Sequence, residues 1–343
     1  MKFLKYIVTC FVMMASLSGC QKTQKLSITN VSYDPTRELY SAYNKQFIHY
    51  YQKTYHQAVT VVQSHGGSGK QTLEVDNGLK GDVVSLAVQS DVDTLMKSGL
   101  IKQGYIHHYP HQSAPYTSTI VFLVRKGNPK KIHDWQDLTK KNVGVITPNP
   151  KTSGGARWNY LAAWYAFEKQ GLRVTQIKKQ MKALYHNVLV LDSGSRASTT
   201  TFCENGEGDV LITWENEAYL TMKENPGDYE MIIPSASILC QPTVALVDEV
   251  VKEKGTRKVA NVYIKHLYSA SAQRLIAQNY YRPVNKTIYQ KQRATHQSHT
   301  IKKLTKRWIV DDLSMTTIDH FGGWAKATKV HFQDGGYFDE IYK

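Results

Sequence analysis

Four short stretches place glycine, hydroxyl and cationic residues at spacings that could hold an anion. They are Ser32-Tyr-Asp-Pro-Thr36, His65-Gly-Gly-Ser-Gly-Lys70, Thr152-Ser-Gly-Gly-Ala-Arg157 and Asp192-Ser-Gly-Ser-Arg-Ala-Ser198. Each lies where a helix is predicted to begin. The first turn of a helix carries unpaired N–H groups and a partial positive charge. Glycine there lets an anion approach the backbone, because no Cβ intervenes. One such junction is an ordinary cap or turn, whereas four in one chain form a pattern.

Other chemistries fail on spacing. Gly69-Lys70 is similar to the end of a phosphate-binding P-loop, but the positions that loop needs as Gly and Ser/Thr are Ser64 and Gln71. A nucleophile elbow centred on Ser68 fails because the residue two further on is Lys70. His107, His108 and His111 surround Pro110 with no nearby carboxylate, which predicts surface histidines rather than a metal centre. No pair of carboxylates sits in a motif for general acid–base work. The residues therefore predict binding without catalysis, cofactor or metal.

The elements that must position these junctions alternate between strand and helix. Residues 26–31 alternate with period two and read as a strand, after which Asp34 is predicted as N-cap and Pro35 as the first helical residue. Strands are predicted at 58–62, 82–88, 119–124, 143–146, 187–191 and 209–213, and a long one at 237–247. Helices are expected from the GGSG loop to about 77, at 159–167 and 198–204, and as a pair over 258–278. This rhythm predicts an α/β protein with mainly parallel sheets. Two interleaved units follow: the chain leaves the first near 113–119 and returns near 240–247. A ligand site between them is expected, because open α/β sheets bind at the carboxyl ends of their strands.

The chain has 343 residues, with 43 Lys and Arg against 28 Asp and Glu, a net charge of +15. Its 41% hydrophobic and 21% charged residues exclude a disordered or collagen-like chain. The positive balance points to an anionic partner without choosing among nucleic acid, membrane and small anion. Lys2 and Lys5 precede an apolar run too short to remain as a membrane span, followed by Leu17-Ser-Gly-Cys20. That spacing resembles a lipobox, which predicts removal of residues 1–19, lipid on Cys20 and a tether over 20–25. The cut takes two lysines and no acids, leaving +13. Cys203 and Cys240 then remain, either paired in an oxidising compartment or as buried free thiols. The stretch 285–308 carries Lys286, Lys291, Arg293, Lys302, Lys303, Lys306 and Arg307 without an acid, and reads as a solvated basic segment or a contact for anionic lipid.

Around these junctions the longer motifs, 30–40, 63–71, 148–160, 192–198, Gly208-Asp-Val-Leu-Ile-Thr-Trp-Glu-Asn-Glu217 and Phe321-Gly-Gly-Trp-Ala-Lys326, resemble the bacterial sulfate-binding proteins from about Leu26 to the C-terminus. The resemblance implies a two-lobed periplasmic-binding-protein fold with the ligand cleft between the lobes. It implies capture of sulfate or thiosulfate for an ABC importer, with no nucleic acid bound. A binder of molybdate or phosphate is the alternative, and a secreted hydrolase or anionic-polymer adhesin a more distant one. Lobe 1 is expected over 26–115 and 245–343, and lobe 2 over 116–244. The implied ligand contacts are the backbone N–H groups of Asp34, Gly154, Gly155 and Ser195, the Ser68 hydroxyl and the Trp214 indole N–H. His65, Lys70, Arg157 and Arg196 are expected behind them. Two departures stand out: the apparent lipidation, and the long basic stretch 285–312. A dianion without a proton needs only donors, which this set supplies. Affinity should then vary little between pH 5 and 8, apart from drift if His65 titrates near about 6.5.

Overall fold

The computed structural model describes residues 26–294, 300–301, 309–310 and 313–343. Cys20, the tether 20–25, and Lys302, Lys303, Lys306 and Arg307 lie outside the described residues.

The chain begins with β1 (Leu26–Tyr33) and a 3-10 turn, Asp34–Thr36, leading into α1 (Arg37–Tyr55). Tyr33, not Asp34, stands at the cap of that turn, so Asp34 and Pro35 are its first two residues. Then come β2 (Val59–Gly66), α2 (Ser68–Asp76), β3 (Val83–Leu86) and α3 (Gln89–Lys97). After a crossing segment the chain forms β4 (Ile120–Arg125), β5 (Val145–Pro148), α4 (Gly154–Lys169) and α5 (Val174–His186). β6 (Val188–Asp192), α6 (Ser195–Cys203), β7 (Val210–Trp214), α7 (Glu215–Glu224) and β8 (Tyr229–Ile232) follow. The return leads through β9 (Thr243–Leu246) to α8 (Arg257–His266) and α9 (Ala270–Gln278), and the chain ends in α10 (Tyr337–Tyr342).

Two main sheets result. The first has the order β9-β3-β1-β2, with β1 parallel to both neighbours and β9 antiparallel to β3. The second runs from Thr300–Ile301 through β8, β4, β7 and β5 to β6. It is mixed rather than mainly parallel, because β4 is antiparallel to both β7 and β8. All but the last residue of β4 are buried, the outcome its unbroken apolar run requires when both faces are covered. α4 is apolar nearly all round and accordingly buried along most of its length.

The expected long strand 237–247 is two pieces. Ala236–Ile238 pairs with Ser314–Thr316, while β9 joins the first sheet. Pro242 lies between them and has no N–H to give a ladder. Cys240 exchanges backbone hydrogen bonds with Ser118 at 3.0 and 2.9 Å, pinning the two crossing segments side by side. Cys203 and Cys240 are both free thiols. Another link is fully buried: Arg282 reaches Glu215, at the start of α7, through two hydrogen bonds of 2.7 and 2.9 Å.

The C-terminal part packs differently from the expected division. Trp324 meets Trp158 of α4 edge-on at 4.7 Å, and Phe338 of α10 meets Tyr185 of α5 at 5.3 Å. These residues cover the helices of the second sheet, although 245–343 was expected with the first. The front of the basic stretch, Lys286–Gln292, is a short helix capped by the Asn285 side chain. Among the described residues no helix is long and apolar enough to cross a membrane, and no group of three His, Cys, Asp or Glu is placed to hold a metal.

Candidate anion-binding site

Three of the four junctions start helices of nine residues or more, and the fourth is the turn before α1. α2 begins at Ser68, α4 at Gly154 and α6 at Ser195. Ser153 caps α4 by accepting the Ala156 N–H at 3.3 Å, so the N–H groups of Gly154 and Gly155 precede the capped one. All three helices follow the carboxyl ends of parallel strands: β2, β5 and β6. β7, parallel to β5, ends in Trp214.

The glycines show how closely these ends approach one another. A Cβ added to Gly155 would lie 2.6 Å from Ser195 Oγ and 3.3 Å from Trp214 Nε1. One on Gly154 would lie 3.1 Å from Ser68 Oγ. On Gly194 it would come within 2.5 Å of Asp34 Oδ2. The junctions that bracket Asp34, Ser68, Gly154, Gly155 and Ser195 thus converge with the Trp214 indole, from both sheets, on one place. Ser68 and Ser195 are buried, and Trp214 has no exposed surface. The indole N–H faces the Gly155 carbonyl at 3.4 Å, a long contact that leaves it weakly engaged. Helix-start N–H groups, a hydroxyl and an indole are neutral donors, and such a set can hold a fully deprotonated anion.

The four residues expected behind the contacts divide. Arg157 donates to Asp91 Oδ1 at 2.9 Å and to the Pro150 carbonyl at 3.0 Å, tying α4 to α3. Arg196 pairs with Glu38 of α1 at 2.8 Å and lies 3.5 Å from Glu217. His65 Nδ1 shares a hydrogen with Ser32 Oγ at 2.8 Å. Lys70 is exposed and pairs with Glu74 at 3.8 Å. So two guanidiniums bridge the sheets beside the converging junctions, while Lys70 belongs to the surface.

Three acids that sequence reasoning did not single out stand here. Asp91 accepts the Ser68 hydroxyl at 2.5 Å. Glu38 takes Arg196, and Glu217 is buried three residues past Trp214. Burial pushes the Glu217 carboxyl up to about 7, against the pull of Arg196 and with the push of Glu38, Asp34 and Glu224. Its Oε1 has no hydrogen-bond partner among the described residues, since Arg196 is within ion-pair range but not bonded to it. Burial also raises the Asp34 carboxyl, more than Arg37, Arg196 and Lys70 lower it. His65 is held down to about 4, chiefly by burial and then by Arg37 and Arg196. It therefore stays neutral across pH 5–8, contrary to the drift expected of it.

The chain is similar to known proteins along nearly its whole length. The family described as bacterial extracellular solute-binding protein matches residues 28–282. The sulfate-binding protein of Escherichia coli (strain K12) is 52% identical over 320 residues, covering 93% of each chain. The thiosulfate-binding protein of Pseudomonas aeruginosa is 42% identical, covering 92% of each. Among solved structures, the sulfate-binding protein SubI from Mycobacterium tuberculosis H37Rv superposes with a TM-score of 0.76 at 28% identity, covering 89% of this chain and 98% of that one. A periplasmic-binding-protein fold, helix starts gathered at strand ends and near-full-length similarity to these relatives lead to one conclusion: the chain belongs to the bacterial extracellular solute-binding proteins, among the sulfate- and thiosulfate-binding members.

Proposed function

We propose that this protein is a non-catalytic receptor that captures sulfate or thiosulfate outside the cytoplasm and delivers it to the permease of an ABC importer. The observation that carries the reading is the meeting of four junctions and the Trp214 indole, with neutral donors only. The backbone N–H groups of Asp34, Gly154, Gly155 and Ser195, the Ser68 hydroxyl and the Trp214 indole N–H would hold the anion. Arg157 and Arg196 would balance its charge from behind without touching it. The named relatives bind these two anions, which favours them over other tetrahedral oxyanions.

Contacts within the fold support a division into two lobes. Lobe 1 would comprise 26–115 and the chain from about 243 to 294. Lobe 2 would comprise 116–240 together with 318–343, whose aromatic residues cover α4 and α5. Opening and closing the lobes would break and remake the donors contributed by each side. The protein would be periplasmic or otherwise extracytoplasmic, held to a membrane by lipid on Cys20, as Leu17-Ser-Gly-Cys20 indicates. Mass spectrometry of the membrane-extracted protein should find a modified Cys20 at the N-terminus; an unmodified terminus cut elsewhere would remove the anchor from the account. Binding itself is tested by calorimetry of the purified mature domain with sulfate, thiosulfate, molybdate and phosphate.

A further inference from the structure

Hydroxyl side chains near a helix start usually bond to the local backbone or to a neighbouring polar group. At the helix starts of the site most of them do. Ser153 accepts the Ala156 N–H at 3.3 Å, Ser198 donates to Asp192 at 3.0 Å, and Thr199 donates back to the Ser195 carbonyl at 3.2 Å. Ser195 differs. It is the first residue of α6, just after the cap Gly194, whose carbonyl takes the Ser198 N–H at 3.2 Å. The Ser195 hydroxyl itself has no hydrogen-bond partner among the described residues, although the residue is only 8% exposed. A buried donor left without an acceptor is costly. A fold that keeps one is expected to meet it with something that enters from outside.

The place of that hydroxyl says what enters. The position a Cβ on Gly155 would take lies 2.6 Å from Ser195 Oγ, 3.3 Å from Trp214 Nε1 and 3.5 Å from Ser153 Oγ. Three polar side-chain atoms, from the start of α6, the end of β7 and the cap of α4, thus surround one point beside the first turn of α4. We propose that the Ser195 hydroxyl is a further donor to the bound anion, in addition to the backbone N–H of the same residue. The inference rests on the proposed function and deepens it. A fully deprotonated oxyanion offers acceptors only, so the hydroxyl can turn its proton to an anion oxygen. It gives up no bond to a described protein group in doing so. A backbone N–H at this position is available whatever the side chain, whereas the hydroxyl is a property of serine here. Ser195 therefore adds affinity that an alanine in the same place would lack.

The test is calorimetry of the mature protein with sulfate, for wild type and Ser195→Ala, together with the melting curve of each without added anion. Ser195→Ala keeps the backbone N–H and removes only the hydroxyl. Sulfate affinity should fall by about tenfold, the low end of what losing a hydrogen bond to a charged group costs. The melting temperature without anion should stay at the wild-type value or rise, because no described protein group loses a partner. A crystal structure of the wild-type sulfate complex should place Ser195 Oγ within hydrogen-bond distance of a sulfate oxygen, roughly 2.5–3.0 Å. An affinity within about threefold of wild type overturns the inference. So does a loss of affinity matched by a lower melting temperature, which would make the hydroxyl part of the fold, or a complex in which the hydroxyl faces away from the anion. A wild-type protein that binds neither sulfate nor thiosulfate would instead remove the proposed function, and the inference with it.

Discussion

Replacing Trp214 by Phe keeps an aromatic ring in a fully buried slot and deletes one N–H beside Gly155. Losing a donor to a charged ligand costs about 1.5–3 kcal/mol, so sulfate affinity should fall at least tenfold while the melting temperature stays close to wild type. Calorimetry and a melting curve read both. Gly155→Ala makes the complementary test, because its methyl would lie 2.6 Å from Ser195 Oγ and would intrude where the backbone must meet the anion. Sulfate affinity should drop by roughly tenfold or more, about the cost of one lost hydrogen bond to a charged group. The pH dependence turns on Glu217. With its carboxyl raised to about 7, it becomes charged as pH rises from 6 to 8, and that charge opposes a bound dianion. Sulfate affinity should therefore weaken a few-fold, roughly, over that window in wild type and stay flat in Glu217→Gln. For stability the signs differ. The Glu217 contribution is present below the unfolded carboxyl range near about 4.3 and lost as pH rises through about 7. The His65 contribution is present above about 6.5 and lost as pH falls through about 4. Gly154, Gly155, Ser68 and Trp214, which the fold brings close together, were legible as candidates because helix starts and long motifs are local. Asp91 was not, since an acid in the first turn of a helix ordinarily serves the helix dipole, and only the fold brings Ser68 to it.

At the scale of elements, most strands were legible as apolar runs, and α4 as a helix whose face proved wider than expected. α5 and α7 were overlooked: their cationic and acidic residues hid the apolar stripe made by Ile177, Met181, Leu184 and Tyr185, and by Ala218, Tyr219 and Met222. The direction of β4 could not be read, because an apolar run has no arrow, and its antiparallel pairing depends on where the crossing segment enters the sheet. The break near Pro242 was visible in the sequence, yet continuous β-forming residues on either side masked it. The buried Arg282–Glu215 pair joins the chain just past α9 to the start of α7, and so links the two sheets. Arg282→Met would leave the Glu215 carboxylate buried without its bidentate partner. Breaking such a pair from one side typically costs about 3–5 kcal/mol, so the melting temperature should fall by several degrees. A melting curve unchanged from wild type would mean that the pair contributes little to the fold.

For the whole molecule, the interleaving of the two sheets was readable from where strand patterns resumed, but the C-terminal boundary was not. Residues near the end of a chain carry no local mark of what they cover, and here Trp324 and Phe338 pack against Trp158, Tyr160 and Tyr185 of α4 and α5. The surplus positive charge lies largely outside the proposed anion contacts, whose donors are neutral. Binding of a small anion should accordingly lose far less with salt than binding to an anionic polymer would, since only exposed charges are screened. The ion pairs Arg157–Asp91 and Arg196–Glu38 join the two sheets beside the converging junctions. The central claim is that a ring of donors, with no acceptor facing the ligand, selects a fully deprotonated oxyanion. Calorimetry of the mature domain with sulfate and with phosphate at pH 5.5, 6.5 and 8 tests it most directly. The account predicts tight sulfate binding at each pH and phosphate weaker by several orders of magnitude, because the phosphate proton would face donors only and leave a buried pair unmatched. Phosphate affinity within tenfold of sulfate would contradict it.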